Sequence, residues 1–151
     1  MKWIYRRYEV EKSRICPAGI VYRPEAKLRI SGTAGEAYVR ALIDTGADHT
    51  IVPFSIAEDV GAELFRNEQD AAKGISGHEI AIVPGQVELE LLGDTESYHW
   101  TAVIGFARFA TADDECCIFG HAGGLEFFLA SFDGVARAVK LKCRSNLPTK
   151  A

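Results

Sequence analysis

The segment ALIDTGADHT, residues 41–50, carries an aspartate out of an apolar run and into a sharp turn. In residues 36–43 (EAYVRALI), side chains alternate between two faces, and this period of two is typical of a β-strand. Asp44 therefore stands at the carboxyl end of a predicted strand. Gly46 allows the turn, and the apolar run TIVPF predicts a second short strand that closes at Pro53.

Length and composition favour an ordinary globular protein. The chain has 151 residues, of which 48% are hydrophobic and 25% charged, so we expect a single domain over residues 1–151. The net charge of −4 and the lack of a basic stripe argue against a nucleic-acid partner. Without a long apolar run or a signal-like N-terminal segment, we expect no membrane association and a cytoplasmic location.

The four cysteines and four histidines do not have metal-site spacing. Cys116 and Cys117 are adjacent, and no Cys-x-x-Cys pair occurs with them, with Cys16 or with Cys143. We therefore predict reduced, mostly buried thiols and no metal or organic cofactor.

The remaining patterns predict an all-β protein that forms a closed or folded-over barrel. Ser55 and Glu58 form a capping-box pattern, and Gly61 is a suitable C-cap, which predicts a helix of one or two turns. Residues 74–92 are typical of hairpin elements with a turn at Pro84-Gly85. Leu125, Phe128, Leu129 and Phe132 have helical spacing, which predicts one helix near the C-terminus, followed by a last strand, AVKLK.

Three chemistries place aspartate beside threonine and glycine. Actin-like kinases need a far longer chain, and phosphorylated-aspartate ATPases carry a lysine after the aspartate that this chain lacks. In the third class, the aspartic peptidases, the similarity extends further. ALIDTGADHTIVP resembles the catalytic segment of the retropepsin family, the single-domain aspartic proteases typified by retroviral enzymes. GISG at 74–77 resembles their flap, and CIFGHAGGLEFF resembles their second signature, over roughly residues 19–142 in all.

This resemblance implies a retropepsin-like closed β-barrel and a homodimeric aspartic endopeptidase that cleaves peptide or protein substrates. Because the chain has one Asp-Thr-Gly, each copy would contribute Asp44 to a shared dyad. Thr45 would brace the partner's loop, and Gly46 would allow close backbone approach. A turn-forming Asp44 and a Thr45 that satisfies a local carbonyl are the structural alternatives.

The resemblance also implies substrate-binding residues. These are Ala47 and Asp48 in the catalytic loop and the flap residues Gly74, Ile75, Ser76 and Gly77, although an ordinary hairpin tip would also explain the glycines. Two features depart from the family. His121 stands where retroviral enzymes usually carry an arginine that pairs with the aspartate matching Asp48, and a further strand follows the predicted helix. The alternative function is therefore a dimerisation or peptide-binding module with little or no turnover.

Overall fold

The structure is a computed structural model that describes residues 1–68, 70–73, 79–146 and 148–150; of residues 70, 72 and 73 only the backbone is described. The strands in chain order are β1 (Lys2–Ile4), β2 (Arg6–Glu9), β3 (Ile20–Arg23), β4 (Glu25–Ser31), β5 (Glu36–Ile43), β6 (Ile51–Pro53), β7 (Glu63–Leu64), β8 (Asp70–Lys73), β9 (Glu79–Leu92), β10 (Ser97–Ala107), β11 (Ile118–Phe119), β12 (Phe128–Asp133), β13 (Ala138–Cys143) and β14 (Thr149–Lys150). One α-helix, α1 (Phe54–Val60), and two 3-10 turns, Ala112–Asp114 and Leu125–Phe127, complete the described elements.

Most strands belong to one nine-stranded sheet. Its order is β14-β10-β6-β11-β5-β4-β9-β7, with β8 also paired to β9. Because β9 pairs with β10 as well, the pairings of β10, β6, β11, β5, β4 and β9 form a ring. An all-β fold with few helical residues is thus confirmed; the closed barrel stays a prediction, and the ring of pairings is compatible with it.

The two longest strands, β9 and β10, form an antiparallel hairpin that supplies much of the core. Leu89 and Leu91 on β9 and Trp100 and Ile104 on β10 are almost fully buried, whereas Glu88 points outward. Burial of such apolar side chains is the main favourable term in folding. The alternation predicted for 36–43 is confirmed by β5, in which Ala41 and Ile43 are buried and Tyr38 is exposed.

Three short strand pairings near β11 bring the Asp-Thr-Gly segment and the second signature together. β11 pairs in parallel with the end of β5 and antiparallel with β6, and β6 pairs in parallel with the end of β10. The loop after β5 therefore lies beside the loop after β11. Sequence-distant segments thus meet at one end of the sheet.

A smaller, three-stranded sheet joins the first strand to two strands near the C-terminus, in the order β1-β13-β12. The last predicted strand, AVKLK, is confirmed as β13, and it pairs with both β1 and β12. The short helix is also confirmed: α1 ends at Gly61, whose φ of 67° is left-handed as a C-cap requires. Its N-cap is Pro53 rather than the predicted Ser55, and no side chain caps that end.

Three predictions are wrong. Residues 123–132 form a 3-10 turn and the strand β12 instead of a helix, because Phe128–Asp133 pairs with β13. Pro84-Gly85 is not a turn, since β9 runs through it and pairs with β10. The thiols are free, but Cys116 is exposed and the others are only half-buried.

Candidate active site

Asp44 lies directly after β5, at the point where that strand meets β11. Its backbone N–H donates to the carbonyl of Phe119 at 3.2 Å, and its own carbonyl accepts from the N–H of Ala47 at 3.3 Å. The preceding Ile43 is buried, whereas the Asp44 side chain is half-buried. The core thus fixes the backbone, while the carboxylate stays accessible.

The turn after Asp44 is closed by its own carboxylate. The Gly46 N–H donates to Asp44 Oδ1 at 2.9 Å, which is the local contact of an Asx turn. The turn-forming role considered for Asp44 is therefore present, and it leaves Oδ2 without a hydrogen bond from the described residues. The side chain of Thr45 is exposed, and its carbonyl oxygen lies 3.1 Å from His121 Nε2.

A loop at 120–124, after β11, packs through backbone contacts against residues 44–49, the candidate catalytic loop. The N–H of His121 donates to the Ala47 carbonyl at 2.9 Å, and the N–H of Ala122 donates to the Asp48 carbonyl at 2.8 Å. The approach is so close that a Cβ on Gly120 would lie 2.2 Å from the His49 carbonyl oxygen. Only glycine fits there, and this explains the glycine of the second signature.

Two buried side chains anchor this pair of loops to the core. The indole Nε1–H of Trp100 donates to the Gly123 carbonyl at 3.1 Å. Thr50 is fully buried; its hydroxyl lies 3.4 Å from the Gly120 carbonyl, and its carbonyl accepts from the Gly105 N–H at 2.9 Å. Neither role was predicted from the sequence: Trp100 lies outside the recognised motifs, and Thr50, although it lies within the segment 41–50, was assigned no role there.

A cleft of about 550 Å³ opens beside Asp44. Its polar side is the catalytic loop, with Gly46, Ala47 and Asp48. Its other side is largely apolar and comes from five strands and the segment after β10; the lining residues there include Ile51, Ala71, Ile80, Ile82, Ala107, Phe109 and Ile118. An apolar cleft with convergent polar groups is the usual form of a ligand site.

The cleft was not predicted from the sequence, although a partial signal exists. Ile80 and Ile82 alternate along β9, and both contact the small apolar cluster that includes Ile51 and Phe109. Such alternation predicts a strand with one apolar face but does not reveal that the face lines a cleft.

The predicted flap is only partly within the described residues. β8 and β9 pair antiparallel, from Asp70↔Ile82 to Lys73↔Glu79, so a hairpin does stand at the cleft. Gly74, Ile75, Ser76 and Gly77 lie outside the described residues. Their proposed contact with substrate stays a prediction.

Asp48 and His121 do not form an ion pair in the described part of the chain. The His121 ring instead contacts the Thr45 carbonyl, and both Asp48 and His121 are exposed. The pairing considered from the retroviral pattern is thus replaced by a contact within the catalytic loop. Asp44, Gly46, Ala47 and Asp48 line the cleft, and their roles in catalysis and substrate binding stay predictions.

Two cysteines lie near the cleft and are protonated at ordinary pH. Burial raises the pKa of the Cys117 thiol to about 12, and burial also raises that of Cys116, with Arg23 acting in the opposite direction. Cys116 lines the cleft. A neutral thiol at this place contributes apolar surface rather than a nucleophile.

Searches for other kinds of site gave no candidate. Within residues 1–68, 70–73, 79–146 and 148–150, no group of three or more His, Cys, Asp or Glu side chains could hold a metal ion. In the same ranges, no helix has the length and apolar character that a membrane crossing requires.

Comparison with known protein families gives a match for the first part of the chain. Residues 21–93 match the family model described as retroviral aspartyl protease, a segment that contains Asp44 and most of the cleft-lining strands. No curated protein matches the chain. The resemblance inferred from the motifs is therefore confirmed, and it supports placing the chain in the retropepsin-like aspartic protease family.

Proposed function

We propose that this protein is a homodimeric aspartic endopeptidase that hydrolyses extended peptide segments. The observation that carries the proposal is the half-buried Asp44 carboxylate beside an apolar cleft, within the segment that matches the retroviral aspartyl proteases. Thr45 and Gly46 complete the catalytic loop, and no organic cofactor or metal is part of the proposed reaction.

The chemistry requires a second carboxylate. Hydrolysis without a covalent intermediate needs one group that takes a proton from water and another that gives a proton to the substrate carbonyl oxygen. Each chain carries one Asp-Thr-Gly. In the proposed dimer the two Asp44 side chains share one proton, because two carboxylates at short range do not both ionise easily.

The proton transfers follow from that shared state. The ionised Asp44 takes a proton from water as the water oxygen bonds to the scissile carbon, and the protonated Asp44 donates to the carbonyl oxygen. In the resulting gem-diol intermediate, the carboxyl that took the water proton donates it to the amide nitrogen. The other carboxylate takes a proton from one gem-diol hydroxyl as the C–N bond breaks and the carbonyl re-forms, which restores the shared-proton state. The Gly46 N–H at Oδ1 holds one carboxylate oxygen in place and leaves Oδ2 open to the reacting atoms.

The walls of the cleft favour apolar side chains. Ile51, Ile82 and Ile118 offer branched aliphatic surface, and Phe109 adds an aromatic ring. A peptide laid along the hairpin of β8 and β9 would pair with its backbone, with residues 74–77 closing over it, a form of strand addition. We therefore expect cleavage next to medium-sized apolar residues, with Ala47 and Asp48 contacting the substrate backbone.

The alternative, a dimerisation or peptide-binding module, has one specific observation in its favour. Both described strands near the C-terminus pair within their own chain, β13 with β1 and β12 and β14 with β10, whereas the resemblance to the viral enzymes implies a short terminal strand that forms the dimer. This module would bind peptides without cleaving them.

One experiment separates the two functions. Purified wild type and Asp44→Asn should be incubated with a peptide library at mildly acidic pH and analysed by mass spectrometry. Asp44→Asn should lower turnover by about 10²- to 10⁴-fold or more while retaining peptide binding. Asp59→Asn, an exposed aspartate on α1, is the matched control and should cleave normally. Peptide binding without cleavage by wild type would favour the binding module.

A dilution series tests the shared dyad. Specific activity should fall as sedimentation shows the protein becoming monomeric. Constant activity per chain in a monomeric preparation would exclude a dyad built from two copies.

A further inference from the structure

The contact between His121 and the catalytic loop involves the same peptide group that holds Asp44. His121 Nε2 lies 3.1 Å from the carbonyl oxygen of Thr45, and the N–H of the next residue, Gly46, donates to Asp44 Oδ1 at 2.9 Å. That carbonyl and that N–H belong to one planar unit. A histidine on one side of the peptide is thus linked to the carboxylate on the other.

The chemistry of the contact defines the state of the ring. A carbonyl oxygen only accepts hydrogen bonds, so His121 Nε2 must carry the proton, either as the Nε2–H tautomer or as the cation. A donor at the carbonyl polarises the peptide and strengthens the hydrogen bond that its N–H makes. It also restricts rotation of the peptide plane, because both polar groups are held.

The ring is delivered from an anchored backbone. The His121 N–H donates to Ala47, and the His121 carbonyl accepts from Gly124 and Glu126, each at 3.1 Å. The Glu126 side chain is engaged by the Gly123 N–H at 2.8 Å. Although the ring itself is exposed, these hydrogen bonds hold the His121 backbone against the catalytic loop.

We propose that His121 is a positioning residue, which holds the Thr45–Gly46 peptide so that the Gly46 N–H addresses Asp44 Oδ1. Its significance for catalysis rests on the proposed function, but the hydrogen-bonded arrangement itself does not. The alternative is that His121 is a surface residue that contacts the Thr45 carbonyl without a positioning role. In that case, replacing His121 would leave the Gly46 amide and the Asp44 carboxylate unaffected.

Two amides of different length test the proposal. Glutamine places Nε2 the same number of bonds from Cβ as the histidine Nε2, whereas asparagine places its nitrogen where the histidine has Nδ1. His121→Gln should therefore keep the contact, and His121→Asn should lose it. His99→Gln, an exposed histidine on β10 outside the site, is the control.

The first readout is the Gly46 amide in ¹H–¹⁵N spectra. In His121→Asn its proton should move upfield and exchange faster, while His121→Gln and His99→Gln should match wild type. An unchanged Gly46 amide in His121→Asn, in a protein whose other amides show it folded, would overturn the proposal whether or not the protein is active.

The second readout is kinetic. His121→Asn should lower kcat by about 10- to 100-fold with little change in KM, and His121→Gln should stay within a few-fold of wild type. Equal losses in the two variants would overturn the positioning role. If wild type cleaves no peptide, only the proposed function is refuted. The NMR signal of the Gly46 amide still tests whether His121 holds the Thr45–Gly46 peptide, because that measurement does not depend on activity.

Discussion

Replacing Trp100 by phenylalanine should show that the core holds the active-site loops through one hydrogen bond. Trp100 is 3% exposed, and its indole N–H is the donor to the carbonyl of Gly123, a buried residue of the 120–124 loop. Phenylalanine has no donor. Leaving that carbonyl unsatisfied costs about 1–3 kcal/mol of unfolding free energy.

The smaller ring adds a packing term. Trp100 lies among three phenylalanines, with ring centroids 5.9 Å from Phe128, 6.0 Å from Phe127 and 6.4 Å from Phe119. A void in this cluster should cost on the order of 1 kcal/mol more. Together the terms give about 2–4 kcal/mol, or a fall in Tm of about 4–16 °C for a domain of this size.

Trp3→Phe is the matched control. Trp3 is 8% exposed, and its indole donates to the Leu92 carbonyl at 3.1 Å, so the same atoms are removed, but on β1. Both variants should lose stability in urea unfolding. Only Trp100→Phe should also lower kcat/KM at a temperature at which both are folded, because only its partner lies in the 120–124 loop.

Two results would refute this reasoning. An unfolding midpoint of Trp100→Phe equal to that of wild type would show that the Gly123 carbonyl finds another donor at no cost. Equal loss of activity in Trp3→Phe and Trp100→Phe would show that the effect is general destabilisation rather than release of the loop.

Further predictions concern the close contact between Gly120 and His49 and the half-buried thiol of Cys117. Gly120→Ala should unfold at markedly lower urea than wild type, because its Cβ would lie 2.2 Å from the His49 carbonyl, whereas Gly134→Ala, with nothing within 4 Å, should match wild type. Equal midpoints would disprove the close approach. Alkylation followed by mass spectrometry at mildly alkaline pH should label the exposed Cys116 before Cys117, since burial raises the pKa of Cys117 to about 12. Because the folded pKa of Cys117 is raised, its contribution to stability is fully present below the unfolded value near 9 and is lost as pH rises towards 12. Cys117→Ala should therefore lose less stability than wild type over that window, and parallel pH profiles would contradict this.

The catalytic loop was predictable because local and long-range preferences agree there. Alternation in 36–43 fixed the faces of β5, and Asp44 had to follow the last buried position. Gly61 was likewise predictable as a helix end, because its backbone is left-handed and glycine adopts that conformation without strain. In both cases a few neighbouring residues carry the whole signal.

The segment after the second signature was not predictable in this way. Leu125, Phe128, Leu129 and Phe132 match helical spacing, yet Phe128, Ala130 and Phe132 also follow one another at intervals of two, as a strand requires. Pairing of β12 with β13 decides between the two, and that partner lies beyond the window of any local pattern. In the structure Leu129 is 56% exposed, which the helical reading did not foresee.

Pro84-Gly85 misled for a different reason. The pair is typical of turns, but here Gly85 is required by packing: a Cβ would lie 2.8 Å from both Leu64 and Phe106. Glycine thus lets β7 and β10 approach β9 closely, and the strand continues. The cleft was beyond prediction for a similar reason, because its walls come from strands that meet only after the sheet forms.

The pairing of β13 with its two neighbours limits the surfaces to which a second copy of the chain can bind. β13 has β1 on one side and β12 on the other, so its backbone groups are already engaged within the chain. An incoming chain cannot pair with β13 without displacing one of them. In the described part of this small sheet, the outer edges of β1 and β12 remain, and exposed Ile4 and Leu129 lie on those two strands. Because the proposed dyad needs two Asp44 side chains, a dimer that cleaves peptides must bring the exposed Thr45 loops together without new backbone pairing at β13. In the proposed dimer, the two copies would therefore contact each other through surfaces other than the edges of β13.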